Sequence, residues 1–101
     1  MELYSKTVEY PCLDKNALER FVEIFKITIL KSYIDDGNML SHCLSVNFKD
    51  NTVQLFSIWK NKHTKDAAVE NISDEMRQQI RPLMRDTYNF VQGNVIQLKN
   101  I

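Results

Sequence analysis

The chain has 101 residues, of which 44% are hydrophobic, and its 13 basic and 13 acidic side chains leave no net charge. This length predicts one domain over residues 1–101, with a thin core that association with another copy would supplement. The balanced charge argues against nucleic acid as a partner, and no apolar run is long enough to cross a membrane.

The two cysteines, Cys12 and Cys43, form neither a CxxC motif nor a metal-ligand pattern. Together with the lack of a signal peptide, they favour a reduced, cytoplasmic protein. The sequence also has no glycine-rich phosphate loop and no GxSxG motif, so it predicts no metal and no cofactor.

The first third of the chain predicts a strand followed by a long helix. Leu3 to Tyr10 alternates and is rich in strand-forming residues, and Pro11 ends it. Asp14 is placed to cap a helix that runs from Lys15 to about Ile34. Apolar residues recur at helical spacing along it: Leu18, Phe21, Val22, Phe25, Ile29 and Tyr33. Gly37 suits a left-handed helix end.

Leu40 to Phe48 and Thr52 to Trp59 predict a hairpin with a turn at Asp50-Asn51. The predicted cross-strand pairs are Phe48 with Val53, Val46 with Leu55, Leu44 with Ser57, and His42 with Trp59. These residues share one face, which we assign to the helices. The opposite face holds Cys43, Ser45, Asn47, Gln54, Phe56 and Ile58. Its apolar part predicts a homodimer formed through the sheet.

After Trp59 the sequence predicts a basic loop over residues 60–65 and then helical segments from Asp66 to about Asp86. Ser73 resembles a helix cap, and Pro82 would interrupt a helix. Residues 92–94, Gln-Gly-Asn, predict a turn before a last strand from Val95 to Leu98. The order β-α-β-β-α-β predicts an α+β, ferredoxin-like fold with an antiparallel sheet and two helices on one face.

Several segments resemble the antibiotic biosynthesis monooxygenase (ABM) family of dimeric α/β-barrel proteins. They are Phe56-Ser57-Ile58-Trp59, then Lys65-Asp66-Ala67-Ala68, the long first helix, and the glycine-led stretch Gly37 to Leu44. The resemblance implies two ferredoxin-like units that pair their sheets into a barrel, with a pocket between sheet and helices in each. It also implies cofactor-independent oxygenation of a quinol-like or polycyclic phenol. Haem-degrading members combine a first-strand Asn, this Trp and a helix His, of which only Trp59 is present, so haem degradation is disfavoured.

Three residues are candidates for the site. Trp59 either lines a substrate pocket or fills the core at a strand end. His42 is the candidate general base, because histidine titrates near neutral pH, or else an exposed residue without a role. Tyr4 either donates a hydrogen bond to a ligand or is structural.

Arg77, Arg81 and Arg85 recur every four residues and either meet an anion or form a solvated face.

The leading functional hypothesis is a cofactor-independent monooxygenase of the ABM type, acting on a small aromatic or quinol-like compound, or a degenerate relative of one. The alternative is a non-enzymatic, small-ligand-binding or stress-related dimer with the same barrel. A third hypothesis is an interaction module that uses the sheet for pairing only.

Overall fold

The computed structural model describes residues 2–99 and contains there four strands, four α-helices and one 3-10 turn. In chain order these are β1 (Tyr4–Pro11), α1 (Lys15–Ile27), α2 (Ile29–Asp36), β2 (Met39–Asn47), β3 (Thr52–Trp59), α3 (Lys62–Glu70), α4 (Asp74–Ile80), the 3-10 turn (Arg81–Leu83) and β4 (Asn89–Asn94). The predicted fold class is confirmed: this is an α+β, ferredoxin-like arrangement.

All paired strands are antiparallel, and their order across the sheet is β2-β3-β1-β4. One face of the sheet packs on the helices and forms the main core. Its buried members include Tyr10, Val53 and Leu55 from the strands and Phe21 and Phe25 from α1. No helix within residues 2–99 has both the length and the apolar content needed to cross a bilayer.

Local signals place the ends of several helices where the sequence predicts them. The Asp14 carboxylate accepts a hydrogen bond from the Ala17 amide at 2.8 Å, and the Ser73 hydroxyl accepts one from the Met76 amide at 3.2 Å. Gly37 ends α2 with a left-handed φ of 82°. Each side-chain cap supplies a partner to a first-turn amide that the helix itself cannot satisfy.

The predicted single helix from Lys15 to Ile34 is wrong at one point, because Thr28 divides it into α1 and α2. Thr28 has φ −116° and ψ −90°, and its hydroxyl donates to the Ile24 carbonyl at 2.7 Å. This side-chain bond competes with the regular backbone pattern and bends the helix.

The hairpin has a different register from the predicted one. The Asn47 side chain accepts a hydrogen bond from the Lys49 amide at 2.9 Å, which starts the turn earlier and leaves residues 48–51 as the loop. Val46 therefore lies opposite Val53, Leu44 opposite Leu55, His42 opposite Ser57, and Met39 opposite Trp59. The predicted pairing of His42 with Trp59 is wrong. The shift is by two residues, so both face assignments survive for the strand residues.

The segment after Trp59 is helical earlier than predicted. The Asn61 side chain accepts from the Thr64 amide at 2.8 Å, and the Thr64 hydroxyl accepts from the Asn61 amide at 3.3 Å. This reciprocal capping box starts α3 at Lys62 rather than at Asp66.

The last strand also differs from the prediction. β4 spans Asn89–Asn94, so it contains the Gln-Gly-Asn triplet that was predicted to be a turn. Gln92 lies opposite Lys6 and Gly93 opposite Ser5, whose hydroxyl donates to the Gly93 carbonyl at 3.3 Å. The free edge of β1 outweighs the local turn preference, because strand formation depends strongly on available pairing.

A buried lysine joins α3 to this edge strand. Lys65 is 4% exposed, and its ammonium donates to the Gln92 side-chain oxygen at 2.6 Å while contacting the Asp66 carboxylate. The same ammonium lies 5.4 Å from the centre of the Tyr4 ring. The charge is thus compensated on several sides, as a buried ion requires.

Candidate functional site

A cavity of about 480 Å³ lies between the inner face of β1 and helices α2, α3 and α4. Its apolar and aromatic lining consists of Val8, Tyr10, Ile29, Tyr33, Val69, Ile72, Ile80, Met84 and Tyr88. Its polar lining consists of Lys6, Arg77, Arg81, Arg85, Asp86 and Thr87. A mostly apolar concavity of this size with a few convergent polar groups is the usual form of a small-molecule site.

Two buried phenols form part of the cavity wall. Tyr10 packs against Phe21, Phe25 and Tyr88, with ring centres 5.0, 5.2 and 5.8 Å away. Burial raises the pKa of Tyr10 far above its usual value and raises the pKa of Tyr33 to about 12. Both hydroxyls therefore stay protonated near neutral pH and can donate hydrogen bonds to a ligand.

Lys6 is the most unusual polar group of the lining. It points from β1 to the inner face, is partly buried, and places its nitrogen 4.8 Å from the centre of the Phe90 ring. Its side chain forms no hydrogen bond or ion pair with any residue between 2 and 99. Burial, and next the charge of Lys65, lowers the pKa of Lys6 to about 8. With this pKa, roughly a tenth to a fifth of the amine is neutral between pH ~7 and ~7.4, and that fraction can accept a proton.

The three arginines that recur every four residues meet at the cavity. Arg77 donates to the Val69 carbonyl at 2.8 Å, and Arg85 donates to the carbonyls of Cys12 and Asp50 at 2.6 and 2.9 Å. Arg81 is exposed. Their shared position on the cavity lining is compatible with an anion site, and the exposure of Arg81 and Arg85 is compatible with a solvated face.

The three residues predicted from the sequence lie outside this lining. Trp59 is 1% exposed, and its indole N–H donates to the Ser57 hydroxyl at 2.9 Å. Tyr4 is buried directly opposite Trp59 in the β1–β3 pairing. His42 is exposed on β2 and lines a separate groove against α1. The structure therefore brings Tyr4 and Trp59 together and leaves His42 apart from them.

Trp59 approaches the cavity through Tyr33. The two rings meet edge to face, with centres 5.3 Å apart and an interplanar angle of 82°. Tyr33 lines the cavity, so Trp59 supports part of its wall from behind. Direct ligand contact by Trp59, Tyr4 or His42 stays a prediction.

Lys6, Tyr10 and Tyr33 line the cavity but belong to none of the motifs that the sequence offers. One signal was available for Lys6, since it shares strand parity with Tyr4, Val8 and Tyr10 and so occupies an inward position among apolar residues. A lysine on the buried face of a strand requires either a partner or a function.

The fold has well-matched counterparts among solved structures. A dimeric ferredoxin-like protein from an uncultured marine organism superposes with a TM-score of 0.82 at 12% identity, covering 100% of this chain and 94% of that one. A monooxygenase of Streptomyces coelicolor, solved with the ligand nanaomycin D, gives 0.78 at 13% identity over 97% and 91% of the two chains. A candidate antibiotic biosynthesis monooxygenase from Nitrosomonas europaea gives 0.78 at 14% identity over 93% and 90%.

The sequence itself matches no family model, and no curated protein is detectably similar to it. At these identities the structural likeness shows the fold alone. That fold is ABM-like, as the segments around Trp59 predict.

Proposed function

We propose that this chain is a cofactor-independent monooxygenase of the ABM type, acting on a small aromatic or quinol-like phenol bound in the cavity. The observation on which this depends is the position of Lys6, an amine of lowered pKa without a charged partner among residues 2–99, on the wall of an aromatic cavity. The ABM-like fold supports the same chemistry.

The cavity supplies what such an oxygenation requires from a protein. The neutral amine of Lys6 accepts the phenolic proton, which makes the bound ring electron-rich enough to reduce dioxygen. Overall, a ring CH₂ and O₂ become a ring C=O and water, and the substrate provides all the electrons. Tyr10 and Tyr33 donate hydrogen bonds to the substrate oxygens, while the apolar wall excludes bulk water.

The sequence-predicted residues receive supporting roles in this proposal. Trp59 holds the Tyr33 ring in place, and Tyr4 packs beside Trp59. Lys6 replaces His42 as the proposed base, because His42 is exposed and lies outside the cavity lining.

A non-enzymatic ligand-binding protein is the second candidate. The observation that favours it is that the described lining offers one amine and one carboxylate, Lys6 and Asp86, among side chains that are otherwise mostly apolar or aromatic. Binding of an aromatic compound without oxygen uptake would favour this candidate.

We also propose a homodimer formed through the outer face of the sheet. Phe56 and Val91 on that face are 37% and 76% exposed, and Cys43 beside Phe56 is exposed too, whereas Ile58 of the same face is already buried in the single chain. A second copy would cover this surface. The marine ferredoxin-like protein with the same fold is a dimer.

Oxygen uptake with anthrone tests the enzymatic proposal, since its enol tautomer is a polycyclic phenol and its CH₂ is the position oxidised. We expect the wild-type chain to consume oxygen and form the quinone, and Lys6→Met to lose ~100-fold or more of the rate. Lys60→Met, at an exposed lysine outside the lining, should retain the rate. Equal rates in the wild type and Lys6→Met would exclude Lys6 as the base.

A further inference from the structure

The cavity brings several basic side chains together, although the chain as a whole carries no net charge. Three arginines, Arg77, Arg81 and Arg85, line it together with Lys6 and one carboxylate, Asp86. The ion pairs within residues 2–99 are Lys31–Asp35, Lys62–Asp66 and Lys65–Asp66. None of the three arginines therefore forms an ion pair with a described carboxylate, and together they give this part of the surface a positive potential.

Two of the arginines are held in place without losing their charge. The partners of Arg77 and Arg85 are backbone carbonyls, which fix the guanidinium groups but do not neutralise them. A guanidinium has five N–H donors, so each retains donors beyond those used for anchoring. Pre-positioned donors of this kind bind a carboxylate with little loss of side-chain freedom.

The remaining wall is apolar and aromatic, and Tyr10 and Tyr33 belong to it. The complementary ligand is therefore amphiphilic: an aromatic body that packs on the wall and an anionic group that meets the arginines. A neutral polycyclic phenol would cover the partly buried Arg77 without giving its guanidinium an anionic partner, which is unfavourable.

We propose that the cavity prefers aromatic carboxylates, so that phenols bearing an acidic group bind more tightly than neutral phenols such as anthrone. This inference rests on the proposed function for its phenol, while the acid preference depends only on the cavity. The arginines bind the carboxylate and Lys6 faces the phenol.

Isothermal titration with 6-hydroxy-2-naphthoate and its methyl ester tests this preference, because the pair differs only in the acid. At low ionic strength we expect the acid to bind at least ~10-fold more tightly than the ester. The preference should shrink as salt rises from about 0.02 M to about 0.5 M, since screening weakens charge pairs.

Arg81→Gln is the informative variant, because Arg81 is exposed and its side chain bonds to no described residue. It should weaken binding of the acid ~3-fold and leave the ester unchanged. Arg20→Gln, at an exposed arginine of α1 outside the lining, should change neither.

Equal affinity for acid and ester, tighter binding of the ester, or no binding of either would each overturn the acid preference. Oxygen uptake is a separate readout. Tighter binding of the acid without oxygen uptake from any phenol would contradict the proposed oxygenase and leave the acid preference standing. Oxygen uptake together with equal affinities for acid and ester would support the oxygenase and contradict the acid preference.

Discussion

Replacing Lys6 by methionine is expected to make the protein more stable at neutral pH while removing its proposed activity. Methionine keeps the length of the side chain and removes the charge that burial disfavours. Lys6 has an ordinary pKa of 10.5 in the unfolded chain and about 8 in the fold. The unfolded state thus holds the proton more tightly, and below pH ~8 the charged amine reduces the free energy of unfolding.

The change in pKa from 10.5 to about 8 corresponds to at most ~3 kcal/mol. Lys6 is only partly buried, and solvent screening lowers the effect, so we expect Lys6→Met to gain about 1–2 kcal/mol at pH ~7. As pH rises from about 8 to 10.5, the folded wild type loses its unfavourable charge first and gains stability. The advantage of the variant should therefore disappear over that range.

Urea unfolding followed by the fluorescence of Trp59, the single tryptophan, measures both effects. The difference between wild type and variant is the quantity of interest, because other titrating groups affect both proteins alike. Lys60→Met serves as the control and should show no pH-dependent difference. A destabilising charge at Lys6 is refuted if Lys6→Met is less stable than the wild type at pH ~7, or if the variant remains the more stable protein above pH ~10.5.

Three further substitutions test the packing, the backbone and the assembly. Trp59→Phe loses the bond to Ser57 and part of the core volume, so urea unfolding followed by circular dichroism should show a loss of ~2 kcal/mol, and a loss under ~0.5 would contradict the burial. Gly37→Ala should cost ~1 kcal/mol in the same assay through its positive φ alone, because an added Cβ meets no atom within 4 Å; Gly93→Ala, without such a φ, should be nearly neutral. Phe56→Lys should convert a dimer into monomers in sedimentation equilibrium; an unchanged mass would argue against the sheet interface.

The sequence predicts features that depend on a few adjacent residues better than features that depend on distant ones. The caps at Asp14 and Ser73 and the end at Gly37 are confirmed, because each involves atoms within a few positions along the chain. The hairpin register is displaced because one side chain, Asn47, starts the turn earlier than the favoured Asp-Asn pair. The last strand is predicted too late in the chain, at Val95 to Leu98 instead of Asn89–Asn94, because its position depends on the edge of β1, far away in sequence.

The cavity is harder still to predict from the sequence. Its lining comes from β1, α2, α3, α4 and the segment after the 3-10 turn, and its residues form no motif. The site prediction centred on Trp59, which is the most conspicuous residue of the chain but packs into the core behind Tyr33. The position of Lys6 on the inward face of β1 is a weaker signal, but it is the one that identifies a residue of the cavity lining.

The hydrogen bond between Lys65 and Gln92 helps to set the register of β4 against β1. A slip of β4 by one residue would turn Gln92 to the outer face and place Val91 or Gly93 beside the ammonium. The buried ammonium would then keep its contact with Asp66 but lose a charge-assisted hydrogen bond, at a cost of about 1.5–3 kcal/mol. The Gln92 side chain thus favours one register of β4 over its alternatives, in a strand whose glycine and turn-forming residues specify the register weakly.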